Sequence, residues 1–217
     1  TLPLKANPHM HMFEACLAWL EAGGDAEWER IAGMIADLCV DKFLHPQTGA
    51  LREFFDQDWN PMMGEMGRII EPGHQFEWAW LFMRWSQRTK NPKYMIAAQR
   101  LMEIAETAGT DPTRGVTFNE LWDDFTAKDK GARLWPQTER IKAYVQLSRM
   151  ISGADRDGAI GKAIEAADGL QLYLSTDIPG LYRDKMKLDG SFVDEPAPAS
   201  SLYHIICAID ELCSIEV

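Results

Sequence analysis

Four prolines recur along the chain at a nearly constant spacing, and each opens a segment with helical periodicity. They are Pro8, Pro72, Pro136 and Pro198, separated by 64, 64 and 62 residues. Proline suits the first turn of an α-helix because its φ is already helical and its missing N–H would have no partner there. A repeat opened each time by a helix start predicts a chain of stacked units of one kind.

Each unit has the pattern of two helices followed by a loop that returns to the next proline. Apolar residues recur at three- and four-residue spacing in seven segments. These segments are 8–22, 25–44, 73–89, 91–107, 136–152, 155–174 and 198–215. Loops such as GALREFFDQDW, GVTFNELWDD and GLYRDKMKLDG combine turn residues with brief strand patterns. We therefore predict an all-α chain of about seven helices with short β-hairpin loops.

The repeat also predicts where a site would lie. If the pairs stack around an axis, the proline-led helices point the same way and their N-termini meet at one end. Four of the five histidines, His9, His11, His74 and His204, lie within about two turns of such a start. Imidazoles near positively polarised helix ends suit proton transfer. We expect this end to carry the functional site.

The charge balance limits the partners of the chain. Its 217 residues carry 33 acidic and 22 basic side chains, a formal net charge of -11. This excess disfavours nucleic acid and anionic membranes, so the expected partner is a small molecule. No apolar stretch approaches the about 20 residues of a membrane span. The four cysteines lie mostly in apolar helical segments without metal-type spacing, which predicts reduced core thiols and a cytoplasmic protein.

The densest motif is EPGHQFEWAWLF, residues 71–82. His74 and Glu77 share one helix face at three-residue spacing, so the carboxylate is expected to orient the imidazole. Trp78 and Trp80 point to different faces. The alternative is a capped helix start whose histidine satisfies a backbone carbonyl, and spacing alone leaves both interpretations open.

Two further proline-led starts carry polar or aromatic side chains. In NPHMHMFE, Asn7 and His11 are four residues apart and are expected to contact substrate hydroxyl groups, whereas His9 faces elsewhere and is expected to cap the helix. In WPQTER, Trp135 is a candidate platform for a sugar ring and Glu139 a candidate substrate contact. The alternative for Trp135 is a packing role at the helix start.

The last proline-led segment places His204 between Tyr203 and two isoleucines. Taken alone, this pattern is typical of a core histidine, but its position in the repeat would bring His204 near His74. A metal site of His9, His11, His74 and His204 is a weaker alternative, because no HExxH motif or cysteine pair accompanies them. The glycines form no nucleotide-binding loop. We expect neither a metal nor a cofactor.

Four motifs follow one another over nearly the whole chain: NPHMHMFEA, EPGHQFEWAWL, WPQTE and PASSLYH. In this order and spacing they resemble the N-acylglucosamine 2-epimerase family. That family includes cellobiose 2-epimerases and mannose or sulfoquinovose aldose–ketose isomerases. The resemblance implies an (α/α)6 barrel, with residues 1–217 as a single domain, its C-terminal portion. It implies catalytic roles for two residues and sugar-binding roles for five. The acid and base are His74 and His204; the binding residues are Asn7, His11, Glu77, Trp80 and Trp135.

The implied reaction is proton transfer at C2 of a ring-opened sugar. Return of the proton to C2 gives epimerisation and return to C1 gives aldose–ketose isomerisation, and the sequence leaves both open, as it does the formation of a homodimer. One alternative is a glycoside hydrolase or lyase on the same barrel; a hydrolase would use Glu77 and Glu139 as carboxylates about 5 to 9.5 Å apart. The other is a non-catalytic helical-repeat binding protein.

Overall fold

The computed structural model describes residues 2–215, and seven α-helices lie within them, as the apolar periodicity predicts. They are α1 (Ala6–Glu21), α2 (Ala26–Leu38), α3 (Pro72–Thr89), α4 (Pro92–Thr107), α5 (Trp135–Ser148), α6 (Ala154–Leu174) and α7 (Ser201–Cys213). A π-helical turn, Cys39–Phe43, continues α2, and a 3-10 turn, Glu65–Arg68, precedes α3.

Short strands occupy the connections between helices. They are β1 (Leu4–Lys5), β2 (Phe54–Phe55), β3 (Ile69–Ile70), β4 (Thr110–Asp111), β5 (Val116–Thr117), β6 (Glu120–Trp122), β7 (Ala127–Asp129), β8 (Ala132–Arg133) and β9 (Lys185–Met186). All pairings are antiparallel: β1 with β2, β6 with both β3 and β7, β4 with β5, and β8 with β9. Three proline-led helices, α1, α3 and α5, thus follow directly or closely on a paired strand.

The helices form two layers. The inner layer is α1, α3, α5 and α7, in which α3 packs on α1 and α5, and α5 packs on α7. The outer helices α2, α4 and α6 each pack on the inner helix that precedes them. Because α3 and α5 are covered from both sides and from outside, every residue from Pro72 to Met83 and from Pro136 to Gln146 is buried. The inner helices therefore carry polar side chains into the interior.

The turn between α3 and α4 shows how local sequence shapes a helix pair. Lys90 ends α3 in the left-handed conformation with φ of 57°, and the Asn91 side chain accepts a hydrogen bond from the Lys93 N–H. Pro92 then fills the first position of α4, where no N–H is needed. Such a short connection makes consecutive helices antiparallel neighbours.

The cysteines agree with the expectation of core thiols only in part. All four are free; Cys16 and Cys39 are buried, but Cys213 is exposed. The prediction was wrong for Cys213 because it lies at the end of α7, where the helix face is uncovered. None of the helices in the described part of the chain combines the length and apolar character needed to cross a bilayer.

Candidate active site

The N-terminal turns of α1, α3, α5 and α7 surround one cleft of about 280 Å³. Six of the residues predicted from the sequence line it: Asn7, His11, His74, Glu77, Trp135 and His204. They come from four segments of the chain that are far apart in sequence. The common orientation of the proline-led helices brings them together, as the repeat predicts.

His74 is held by groups on both of its ring nitrogens. Its Nδ1 lies 2.9 Å from Oε2 of Glu53, a buried carboxylate at the start of β2. Its Nε2 lies 3.1 Å from the side-chain nitrogen of Asn7 on α1. An amide serves either protonation state of the imidazole, because turning it by 180° exchanges its donor and acceptor. The ring is therefore fixed in orientation, and only 7% of the side chain is exposed.

The carboxylates around His74 control its charge. Burial alone would lower its pKa, but the nearby Glu53 and Glu71 outweigh burial and raise the pKa of His74 to about 10. Burial raises the pKa of Glu53 as well, and the charged imidazole opposes that rise. The pair therefore keeps a proton between pH 6 and 8, where a histidine in water would largely lose it.

His204 is held by a second acidic group. Its Nδ1 lies 2.9 Å from Oε1 of Glu139 on α5, and the other carboxylate oxygen of Glu139 lies 2.7 Å from Nζ of Lys142. Glu139 and Lys142 are fully buried. Burial alone would raise the pKa of Glu139, but Lys142 and His204 outweigh burial and lower it. Glu139 is thus an anion that orients His204 and leaves Nε2 as the ring nitrogen available to a ligand.

Trp135 lies between the two imidazoles. Its ring centroid is 5.0 Å from that of His74 and 5.9 Å from that of His204, each with an interplanar angle of 39°. Gly73 allows the approach, because a Cβ there would lie 2.5 Å from two atoms of the Trp135 ring. The indole thus forms the shared wall of a single cavity that both histidines face.

Glu77 does not orient His74 as the three-residue spacing suggested. Its two carboxylate oxygens are buried without a hydrogen-bond partner in residues 2–215, and Oε1 lies 3.8 Å from Nδ1 of His11. Burial and the neighbouring Glu139 raise the pKa of Glu77 well above its usual value. Glu77 therefore lines the cleft with its protonated form favoured by burial, and Glu53 holds the imidazole in its place.

Trp80 lies outside the cleft that contains both histidines. Its indole N–H donates to Oε1 of Glu211 at 2.9 Å, and Nζ of Lys142 lies 4.0 Å from its ring centroid. It lines a wider neighbouring depression of about 780 Å³, and His11 lies between the two cavities. A sugar bound between the imidazoles would not rest on Trp80.

His9 is separated from the other candidate histidines. Its Nδ1–H donates to the Lys5 carbonyl at 3.0 Å, and its ring packs on Phe43 and Trp59, in keeping with the structural role expected of it. Ligand atoms do converge within 4.8 Å in two groups of the described chain. These groups are His11 with Glu14 and Glu77, and His74 with Glu53 and Glu71. Such N/O sets suit zinc or manganese, and the absence of a metal stays a prediction.

Glu53 and Arg133 are two of the site residues that sequence reasoning missed; Lys5 and Phe54 also line the cleft and were not predicted. Glu53 precedes the two phenylalanines of β2, and Arg133 stands two residues before α5. Nη2 of Arg133 lies 3.2 Å from Oε2 of Glu71. Neither belongs to a helix face, so helical spacing could not find them. The sequence could have suggested them only by position: Arg133 lies shortly before a proline-led helix, and Glu53 lies next to the strand that pairs with β1.

This arrangement can be compared with known proteins. The sequence model of the N-acylglucosamine 2-epimerase (GlcNAc 2-epimerase) family matches residues 2–208. The chain belongs to this family.

Two curated relatives and one solved structure show how far the similarity of this 2-epimerase family member extends. A mannose-6-phosphate isomerase of Rhizobium meliloti (strain 1021) is 53% identical over 213 residues, covering 97% of this chain and 55% of the relative. A cellobiose 2-epimerase of Bacteroides fragilis is 25% identical, covering 85% of this chain and 46% of the relative. A crystal structure of D-mannose isomerase superposes with a TM-score of 0.85 at 19% identity, covering 99% of this chain and 56% of the isomerase chain.

The structural match confirms the helical-barrel fold expected from the sequence. At 19% identity it bears on the fold alone. The chain spans about half the length of the relatives it matches.

Proposed function

We propose that this chain carries the acid–base machinery of a sugar 2-epimerase or aldose–ketose isomerase that transfers a proton at C2 of a ring-opened sugar. The observation that carries the proposal is the pair of imidazoles, His74 and His204, on either side of Trp135 in one cleft. Each imidazole is oriented by its own carboxylate, Glu53 or Glu139. The family to which the chain belongs supports the same reaction class.

The two imidazoles take different roles in the forward reaction. His204 removes the C2 proton with its free Nε2, while protonated His74 donates a proton to the carbonyl oxygen, so that a neutral enediol forms. Return of the proton from His204 to C1, while the O2 proton passes to the now neutral His74, gives the ketose. If protonated His74 instead delivers its proton to C2 of the enediolate from the opposite face, the C1 carbonyl reforms and the product is the epimer. The positive ends of four inner helices favour the negative charge that develops on oxygen.

The remaining cleft residues position the sugar. Asn7 and His11 offer hydrogen bonds to hydroxyl groups, and Trp135 supplies an apolar face. The raised pKa of Glu77 favours its protonated form, which can both donate and accept. A glycoside hydrolase using Glu77 and Glu139 fits less well. Glu139 is bound to Lys142 and His204 and is fully buried, so it is not free to protonate or attack a glycosidic bond.

The test is exchange of the C2 proton with solvent. The protein is incubated in deuterated water with mannose, mannose 6-phosphate or cellobiose, and loss of the H2 signal is followed by NMR. His74→Gln and His204→Gln should each slow the exchange by at least about 100-fold, the lower end of the range for a general acid or base. His9→Gln is the matched control, since His9 lies outside the cleft, and should retain the wild-type rate.

Two results would overturn the proposal. One is exchange that persists in both cleft variants while circular dichroism shows an unchanged fold. The other is a wild-type protein that binds these sugars without exchanging any proton, which would favour the non-catalytic binding protein.

A further inference from the structure

Two basic side chains line the cleft nearer its mouth than the imidazoles. Lys5 directly precedes α1, and Arg133 stands two residues before α5, so both lie outside the helix starts that carry Asn7 and Trp135. The side chains nearer the mouth are also the more exposed ones. Lys5 is exposed and the Arg133 side chain is 35% exposed, whereas His204 and His74 are 16% and 7% exposed.

Three carboxylates in or beside the cleft are each in contact with a cation, whereas Lys5 has no such partner in residues 2–215. The pairs are Glu53 with His74, Glu71 with Arg133, and Glu139 with Lys142. Burial raises the pKa of Glu77, which favours its uncharged form. Among the described residues Lys5 has no carboxylate within 4.0 Å, and its ammonium lies 5.6 Å from the centroid of the Phe54 ring.

The backbone adds to this positive charge. The helices α1, α3, α5 and α7 are 16, 18, 14 and 13 residues long, and their N-terminal turns surround the same cleft. Unpaired N–H groups at helix N-termini attract anions. In a chain with a formal net charge of -11, these N-termini together with Lys5 and Arg133 bring positive charge to the mouth.

We propose that Lys5 and Arg133 bind a phosphate group on the end of the sugar that points away from the imidazoles, and that the substrates are hexose phosphates. The inference rests on the function proposed above, because C1 and C2 of an open-chain sugar must lie between His74 and His204. The rest of the extended chain then reaches toward the mouth.

The two cations suit this task differently. Lys5 is a mobile point charge without a competing partner, which is appropriate for a group at an open edge. Arg133 is held by Glu71 through one nitrogen and lies 5.4 Å from the centroid of the Trp135 ring, so its remaining donors have a fixed direction. Arginine and lysine together are the usual ligands of phosphate oxygens.

The experiment measures binding of a compound that cannot react. Mannitol 1-phosphate has the open chain and the phosphate but no carbonyl group, and mannitol is its uncharged counterpart. Dissociation constants are measured by isothermal titration calorimetry for the wild-type chain, Lys5→Gln and Lys42→Gln. Lys42 is the matched control: it is also exposed but belongs to a different surface depression.

We expect mannitol 1-phosphate to bind the wild-type chain at least about tenfold more tightly than mannitol, since a charge-assisted contact is worth that much. Lys5→Gln should remove most of the difference and Lys42→Gln should retain it. Raising the salt concentration should weaken only the phosphate compound.

Equal affinity for the two compounds, or an equal effect of Lys5→Gln and Lys42→Gln, would overturn the phosphate proposal. Neither result bears on proton transfer, which the exchange assay tests separately. A protein that exchanges H2 of mannose as fast as H2 of mannose 6-phosphate would keep the proposed function and lose this inference. Phosphate-dependent binding without exchange of H2 in either sugar would support the phosphate site and contradict the proposed proton transfer.

Discussion

At the scale of single residues, the charge of His74 depends on the carboxylate of Glu53. Replacing Glu53 by Gln removes a negative charge at 2.9 Å from Nδ1, while burial still opposes the charged imidazole. The pKa of His74 should therefore fall from about 10 by about 1 to 3 units. Because the proposed mechanism uses His74 as an acid, the alkaline limb of kcat/KM should move to lower pH by the same amount.

The measurement is a pH profile of proton exchange, together with NMR titration of the imidazole signals. Glu103→Gln removes an exposed carboxylate on α4 and should leave the profile unchanged. An unshifted alkaline limb in Glu53→Gln would mean that His74 does not act as the acid.

Glu77 predicts a pH-dependent stability. Its pKa is raised in the folded chain, so between about pH 4.3 and the folded-state pKa the unfolded chain loses a proton that the folded chain keeps. The free energy of unfolding then falls as pH rises, by up to about 1.4 kcal/mol per unit. Glu77→Gln is neutral at every pH and removes this loss. Relative to wild type, the variant should therefore become more stable as the pH rises from 5 to 7.

Urea denaturation at the two pH values measures this difference. Glu103→Gln, exposed on α4, should change it by less than about 0.5 kcal/mol. A difference for Glu77→Gln that does not vary with pH would show that Glu77 is ionised in the folded chain.

These two carboxylates also show what the sequence reveals about a single residue. The three-residue spacing correctly placed Glu77 on the same part of α3 as His74, but not in contact with its ring. Glu53 makes that contact from 21 residues earlier, through the pairing of β1 with β2. Helical periodicity describes one element at a time, so a partner supplied by a two-residue strand has no signal in it.

At the scale of elements, α3 and α5 meet at Gly73 and Trp135. A Cβ on residue 73 would lie 2.5 Å from two ring atoms of Trp135 and 3.0 Å from Cβ of Pro136, so the indole must move. Gly73→Ala should lower kcat/KM for proton exchange at least about tenfold, because the indole separates the two imidazoles. The free energy of unfolding should fall by about 1 to 3 kcal/mol.

A second glycine serves as the control for helix propensity. Gly158 lies within α6, and a Cβ there would meet nothing within 4 Å. Gly158→Ala should raise the free energy of unfolding by about 0.5 to 1 kcal/mol and leave the exchange rate unchanged. If Gly73→Ala behaves in the same way, the close approach to Trp135 has no role in the site.

The buried ion pair on α5 is the next prediction. Lys142→Met would leave Glu139 without its ammonium partner in the interior, and should cost about 3 to 5 kcal/mol of unfolding free energy. Adding Glu139→Gln to this variant removes the unpaired charge and should restore at least half of the loss. Urea denaturation of both single variants and the double variant measures the coupling, and strictly additive effects would contradict it.

The elements themselves were largely predictable from the sequence, and their ends less so. Prolines located the starts of α3, α4 and α5 within one residue because their effect on a helix start is local. The expected end of α5 at residue 152 was four residues too late. The helix ends at Ser148 with Arg149 as its C-cap, and neither residue type signals a helix end. The start of α7 lies at Ser201, three residues after Pro198.

At the scale of the whole molecule, the spacing of the four prolines predicted stacked helix pairs whose proline-led starts meet at one end, and the shared cleft confirms that meeting. That this end is the functional site stays a prediction. A repeat period specifies the order and direction of the helices. It does not specify how far along the helix axis each side chain lies from the cleft. Trp80 illustrates the limit: it lies on an inner helix, as expected, yet about one turn too far from the N-terminus to face the imidazoles. Depth depends on packing between helices, which no single segment encodes.

The outer face of α7 leads to the last prediction. Leu202, Ile206 and Ile209 recur at four and three residues on one side of the helix, and 48%, 58% and 46% of their surface is exposed. A row of exposed apolar side chains favours association, so this face is a candidate contact for the homodimer that the sequence leaves open. Sedimentation velocity of the 217-residue chain should show a weight-average mass that rises with concentration, and Ile206→Lys should shift the species toward monomer. Ile164→Lys is the control, because Ile164 is equally exposed on α6 but outside this row. Wild-type chain that stays monomeric at all concentrations, or equal effects of the two lysine variants, would exclude this face as the contact.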